Sequence, residues 1–210
     1  MVRGQKHVLC FVARHGETTL NAQDCFRGPI DAPLDKNGIA DAHQLAKYFN
    51  PIEISHIFHS DKKRTRMTAE TVSRAKDLPV HPNAGLQAWN VGDLGGQPKT
   101  PENLAIVDYH VEHPNIPYPG GESLNQFKSR VRPLVQDAID MGLKTGIPPL
   151  LVAHSSVIHE VGSMIGGHHE YALVEPGGVV AITIQDGKLD VIPVFKPRPA
   201  SKNHTPDHIT

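Results

Sequence analysis

Cysteine is scarce in this chain of 210 residues: Cys10 and Cys25 are the only two. That is too few for a disulfide framework, and they lack the C-x-x-C spacing of a redox or metal motif. Both are expected to be reduced bystanders. Neither sign of charge predominates, with 21 Lys+Arg against 22 Asp+Glu and a formal net charge of -1, which argues against a polyanion-coating role and so against a nucleic-acid scaffold. No apolar run approaches the roughly 18 residues of a membrane span, and "MVRGQKHVLCFVA" has no small-residue cleavage site after its short apolar segment. A cytoplasmic protein without membrane contact is the expectation. Internal repeats and long low-complexity stretches are missing as well.

Histidine is plentiful, with 14 copies, so a metal site has to be weighed. Chelation needs ligands at usable spacing, and the chain contains no H-x-H, no H-E-x-x-H and no partner cysteines; His168 and His169 are adjacent, and His154 and His159 are five apart. No metal and no cofactor are expected, and His159, His168 and His169 read as structural or surface residues.

Hydrophobic residues make up 39% of the chain, and its length suits one substantial core. "HVLCFVA" (7–13) is a nearly continuous apolar run, as in a strand buried on both faces of a parallel sheet. Ile39, Ala42, Leu45, Ala46 and Phe49 recur at helical spacing over 36–49. A strand at 54–58, a helix at 62–75 and a short strand at 78–82 follow. This alternation predicts a three-layer α/β/α sandwich with a mostly parallel central sheet.

From 83 to 121 the pattern loosens into Gly- and Pro-rich text around a short helix at 101–112, an irregular excursion that could cap a site. Ser123 and Gln126 stand in capping-box register at the head of a long helix over 123–143, with Pro133 expected to kink or break it. "PPLLVA" (148–153) is the next buried strand, followed by a helix from His154. Residues 177–194 read as a hairpin turning at Asp186-Gly187. One domain is expected over 1–195, with a loose tail from 196 to 210.

Two strands end in polar residues. The first runs into Arg14-His15-Gly16, and "LLVA" runs into His154-Ser155. Ligand sites in open parallel sheets lie beyond the carboxyl ends of strands, so His15 and His154 are expected at one edge. Arg14 and Arg64 offer planar donor forks that suit a phosphate or carboxylate. An imidazole among such cations should lose proton affinity and stay neutral, free to attack phosphorus.

"ARHGETTLNAQDCFRGPIDAPLDKNG" resembles the signature of the histidine phosphatase superfamily, the phosphoglycerate mutase-like proteins. The likeness includes Asn21, Gly28, Asp31 to Leu34 and Gly38. "SDKKRTRMTAET" is similar to the family's second arginine block, with Ser60 four residues before Arg64, and "YPGGES" and "LLVAHSSVIH" are similar to its remaining landmarks. The resemblance implies a phosphoglycerate mutase-like fold and a nucleophilic His15 that becomes phosphorylated. It implies that Arg14, Arg64 and His154 stabilise the transferring group, and that Asn21, Arg27, Gly28 and Ser155 lie on the substrate side.

One departure bears on mechanism. Where the family usually carries a general-acid glutamate, residues 86–92 read "LQAWNVG" and Ala88 takes its place. Asp93 is the nearest substitute, with Glu17 and Glu122 as further candidates. Trp89 either walls a pocket or fills the core. The implied activity is phosphatase action on a small phosphorylated substrate through a phosphohistidine. The alternatives are a phosphate-binding regulatory protein, a phosphoprotein (phosphohistidine) phosphatase and, less favoured, a phosphoglycerate mutase.

Overall fold

The computed structural model of the chain describes residues 4–166 and 174–197; His168, His169 and most of the expected C-terminal tail lie outside them. Six strands form one sheet in the order β3-β2-β4-β1-β5-β6. In chain order they are β1 (His7–Arg14), β2 (Ile57–His59), β3 (Val80–Pro82), β4 (Leu150–Ala153), β5 (Val179–Gln185) and β6 (Lys188–Phe195). The pairs formed among β1 to β4 are all parallel, while β5 pairs antiparallel with both β1 and β6.

The continuous apolar run of β1 has a direct cause: the strand has a neighbour on each edge and a core on each face. Val12 packs into one core, whereas Phe11 and Ala13 pack into the other, as the two-residue period of a strand requires. A register shift between Val8 and Cys10 breaks that alternation, so Leu9 and Cys10 both enter the first core. Cys10 is a buried free thiol whose pKa burial raises far above the ordinary cysteine range.

Helices α2 (Lys36–Phe49) and α3 (Lys63–Lys76) cover one face. Asp35 caps α2 by accepting the Gly38 N–H at 2.8 Å, and of the expected stripe, Ala42, Leu45, Ala46 and Phe49 are buried while Ile39 is exposed. Phe49 is fully buried against Phe11, so its truncation to Ala removes about 3–5 kcal/mol.

The opposite face carries α5 (Leu124–Thr145) and α6 (Ser155–Ile165). The Ser123/Gln126 capping box forms as its spacing predicts. Pro133 does not break α5, which runs as one helix through it. Val131, Val135, Ala138 and Ile139 on either side of the proline are buried in the sheet-facing core, which offsets the missing backbone donor.

Strand β2 begins three residues later than the apolar pattern suggests. Ile54 is buried, but it lies in the loop before the strand. The 83–121 segment holds two short 3-10 turns and α4 (Pro101–Glu112). It is zipped to the stretch after the first loop: the Phe26 N–H donates to Gln97 O, Gly96 N–H to Phe26 O, and Lys99 N–H to Asp24 O. Gly28, with φ +47°, sits where an added Cβ would lie 3.2 Å from Gly95 Cα, so a side chain there is strained by both conformation and space. A four-residue helix, α1 (Thr19–Ala22), closed by a reciprocal Thr18/Asn21 cap, was not evident from the periodicity.

Candidate active site

Strands β1 and β4 are parallel neighbours in register, with Arg14 opposite Ala153. The residues that follow must therefore leave the sheet side by side. The His15 N–H donates to Ala153 O at 3.1 Å, and the rings of His15 and His154 sit 5.3 Å apart at 65°. Both are buried. The adjacent strand β2 ends at His59-Ser60, and Ser60 Oγ lies 2.8 Å from His154 Nε2. Three carboxyl ends thus converge at one edge, as expected for an α/β site.

The turn after His15 is held open by contact with α2. A Cβ on Gly16 would lie 2.3 Å from the Gly38 carbonyl oxygen, a distance no side chain tolerates. The Gly16 N–H donates to Thr68 Oγ1 at 3.2 Å, which ties the turn to α3.

Cations surround the two imidazoles. Arg64 lies in the first turn of α3 and is fully buried, although its neighbours Lys63 and Arg66 are exposed. Its Nη1 donates to Ile30 O at 2.7 Å. Arg27 Nη2 donates to Ser155 Oγ at 3.3 Å, and Arg14 Nη1 to Val174 O at 2.9 Å. His154 is the N-cap residue of α6, whose first turn directs backbone N–H groups and a partial positive charge outward.

The electrostatics follow from this crowding. Burial, and then the charges of Arg64, Arg27 and Arg14, hold His15 well below the usual histidine range, outweighing its hydrogen bond to Gly16. Desolvation leads here, whereas the sequence suggested only the guanidiniums. His154 is depressed in the same way, by burial first and then by Arg64, His15, Arg27 and Arg130. Burial and the neighbouring Arg27 and Arg14 push Arg64 down to about 9, with Asp31 opposing.

Several buried polar atoms here have no hydrogen-bond partner among the described residues: His15 Nε2, His154 Nδ1, Arg64 Nε and Nη2, and Asn21 Nδ2. Such atoms carry a desolvation cost unless something meets them. His15 Nδ1 is 2.7 Å from the Gly16 carbonyl, an acceptor that fixes the hydrogen on Nδ1 and leaves a lone pair on Nε2. Asn21 Oδ1 accepts from the Thr18 N–H and hydroxyl, which assigns its NH2 to the unpartnered side. The atoms are thus one nucleophilic lone pair, three donors and an imidazole nitrogen of either kind.

Of the three carboxylates considered as proton donors, Glu122 and Glu17 are engaged by neighbouring groups and Asp93 is exposed. Glu122 makes a two-pronged ion pair with Arg130, Oε1 to Nη2 at 2.5 Å and Oε2 to Nε at 3.0 Å, and Oε1 also accepts the Asn90 N–H. Glu17 accepts from Asn37 Nδ2 at 2.7 Å. Asp93 is exposed in a 3-10 turn, its carboxylate beside Gly120. Trp89 is fully buried, edge-on to Tyr118 and stacked on Phe127, so it fills the core. Among the described residues, no three His, Cys, Asp or Glu side chains gather in a way that could hold a metal ion.

Two elements escaped the sequence reading. Ser60 served there only as a spacing marker for Arg64, yet its hydroxyl touches His154. Arg130 donates all five of its N–H groups, to Gly85 O, Gln87 O, Ala88 O and both oxygens of Glu122. Its helix position was readable; its partners, some 45 residues upstream, were not.

A family model described as histidine phosphatase superfamily (branch 1) matches residues 10–192, and the chain belongs to that superfamily. A probable phosphoglycerate mutase of Yersinia pestis is 32% identical over 152 residues, covering 70% of each chain. The fold is shared with a phosphoglycerate mutase of Bacillus anthracis (TM-score 0.74, 23% identity, 92% of this chain and 95% of that one). It is shared equally with a mycobacterial glucosyl-3-phosphoglycerate phosphatase solved with VO3 (TM-score 0.74, 22% identity, 89% and 98%). Phosphatases and mutases therefore both stand among its neighbours. No helix among the described residues is long and apolar enough to cross a membrane.

Proposed function

We propose that this chain is a phosphatase that hydrolyses small phosphomonoesters through a phosphohistidine on His15. The supporting observation is the set of buried unpartnered atoms around a neutral imidazole. A PO3 unit supplies acceptors for Arg64, His154 and Asn21 and an electrophile for His15 Nε2. In the first step the Nε2 lone pair forms the N–P bond and the ester P–O bond breaks, releasing the alcohol once its oxygen takes a proton. In the second, water attacks phosphorus, the N–P bond breaks, and phosphate leaves. Arg14, Arg64 and His154 neutralise the charge that spreads over the phosphoryl oxygens. Asn21, Arg27, Gly28 and Ser155 line the substrate side.

A second reading concerns the leaving group. With Ala88 at the position of the family's glutamate and Glu122 locked to Arg130, protonation of the departing oxygen lacks an assigned donor, a loss of about 10²–10⁴ in rate for a poor leaving group. That favours aryl or acyl phosphates, or phosphohistidine on a protein, over alkyl esters.

Rapid quenching after mixing with para-nitrophenyl phosphate tests the reading. An acid-labile, base-stable phosphoryl label on His15 is expected, together with phosphate release, and both are lost in His15→Gln. Release that survives in His15→Gln refutes the mechanism. Phosphoglycerate interconversion without phosphate release points to a mutase, and neither label nor release points to a regulatory protein.

A further inference from the structure

The two site histidines share a sheet edge, but their hydrogens are fixed in different ways. The partner of His15 Nδ1 is a carbonyl, which can only accept. The partner of His154 Nε2 is the Ser60 hydroxyl at 2.8 Å, which can accept or donate. Ser60 Oγ lies 2.8 Å from Thr65 Oγ1, and Thr65 Oγ1 lies 2.7 Å from Ser60 O and 2.8 Å from Lys62 O. Ser60, Thr65 and His154 are all buried. A neutral imidazole has a single N–H, so the direction of this hydroxyl chain decides which nitrogen of His154 holds it.

Two arrangements satisfy the chain. In one, Thr65 donates to a backbone carbonyl, Ser60 donates to Thr65, and His154 Nε2–H donates to Ser60, which leaves Nδ1 as a bare lone pair. In the other, Thr65 donates to Ser60 and Ser60 to His154 Nε2, which puts the hydrogen on Nδ1. The surroundings choose between them. Arg64 acts electrostatically on His154, and a neighbouring cation favours a lone pair at Nδ1. A phosphoryl oxygen held by the same arginine favours a donor there.

We propose that Ser60 and Thr65 form a reversible hydroxyl relay that presents His154 Nδ1 as a lone pair to the cationic site and as an N–H to a bound phosphoryl group. The proposal rests on the phosphoryl site argued above. Ser60 and Thr65 are positioning residues that act through His154. No net proton is consumed: one hydrogen leaves Nε2 for water, one arrives at Nδ1 from water, and two hydroxyls rotate.

The test uses the full chain labelled with ¹⁵N-histidine. Long-range ¹H–¹⁵N correlation spectra are recorded with and without inorganic phosphate, and the His154 signals are assigned by their loss in His154→Asn. The protonated and bare nitrogens of His154 are expected to exchange identity when phosphate binds, while His15 keeps its hydrogen on Nδ1. In Thr65→Val, Ser60 loses its acceptor, so the Nδ1–H form is expected even without phosphate; Thr65→Ser restores the wild-type response. Ser60→Ala is expected to weaken phosphate binding about tenfold. Phosphate that binds while the His154 tautomer stays unchanged overturns the relay and leaves the phosphoryl site standing. Phosphate that does not bind at all overturns both.

Discussion

Two imidazoles kept neutral inside a protein make its stability depend on pH in a way that can be worked out beforehand. Burial and nearby arginines depress both His15 and His154 well below 6.5 when the chain is folded, whereas in the unfolded chain both titrate near 6.5. Above that value both states hold them neutral, and they contribute nothing to the pH dependence. As pH falls below 6.5 the unfolded chain takes up protons that the folded chain refuses. Unfolding is then favoured, increasingly so until the pH reaches the depressed folded values. The limiting slope is about 1.4 kcal/mol per pH unit for each imidazole, and between pH 6.5 and 5.5 each one removes roughly 1 kcal/mol of stability. Urea unfolding in phosphate-free buffer at those two pH values measures the loss. Comparison with a His15→Asn/His154→Asn double variant isolates the pair from other titrating groups. The double variant is expected to lose about 2 kcal/mol less than the parent over that interval. Parallel stability curves for the two proteins would refute the claim that the site holds both rings unprotonated.

Two further outcomes follow from the same geometry. Arg64→Met removes a buried cation that acts electrostatically on both histidines, so kcat/KM toward an aryl phosphate is expected to fall about 10²–10³-fold. The acid limb of its pH profile should also move upward, because one of the charges depressing His15 is gone; an unmoved limb contradicts the electrostatic assignment. Across phosphate esters of varied leaving-group pKa, the rate is expected to fall steeply as that pKa rises, and Asp93→Ala is expected to leave the slope unchanged because Asp93 is exposed beside Gly120. A shallow slope that steepens in Asp93→Ala would instead make Asp93 the proton donor.

The meeting of His15 and His154 was readable because it depends on strand direction alone: two apolar runs, each buried on both faces, end in histidine, and parallel neighbours end at the same edge. Arg64 could be singled out from a basic run only by its offset from Ser60, and the structure shows why the offset matters. It turns Arg64 inward while Lys63 and Arg66 face solvent. Pro133 lies within α5 and does not end it, because the core on either side of the proline outweighs one missing backbone donor. The path of 83–121 was not legible, since its hydrogen bonds run to Asp24, Phe26 and Arg130, and such long-range partners leave no periodic trace in sequence. The state of Glu122 was hidden for the same reason: its partner sits eight residues on, across a helix cap.

The five-fold grip of Arg130 also has a consequence for how such a protein can change. Its guanidinium fastens the peptide at Gly85, Gln87 and Ala88 and also fastens Glu122, so the two ends of the intervening segment are drawn together at one point of α5. The segment is anchored again by Trp89, Val91, Val107 and Tyr118 in the core and by its hydrogen bonds to Asp24 and Phe26, so only its exposed positions can be rewritten while the edge bearing the histidines keeps its shape. The surface of that segment can therefore wander over evolutionary time while the edge beneath it stays constant.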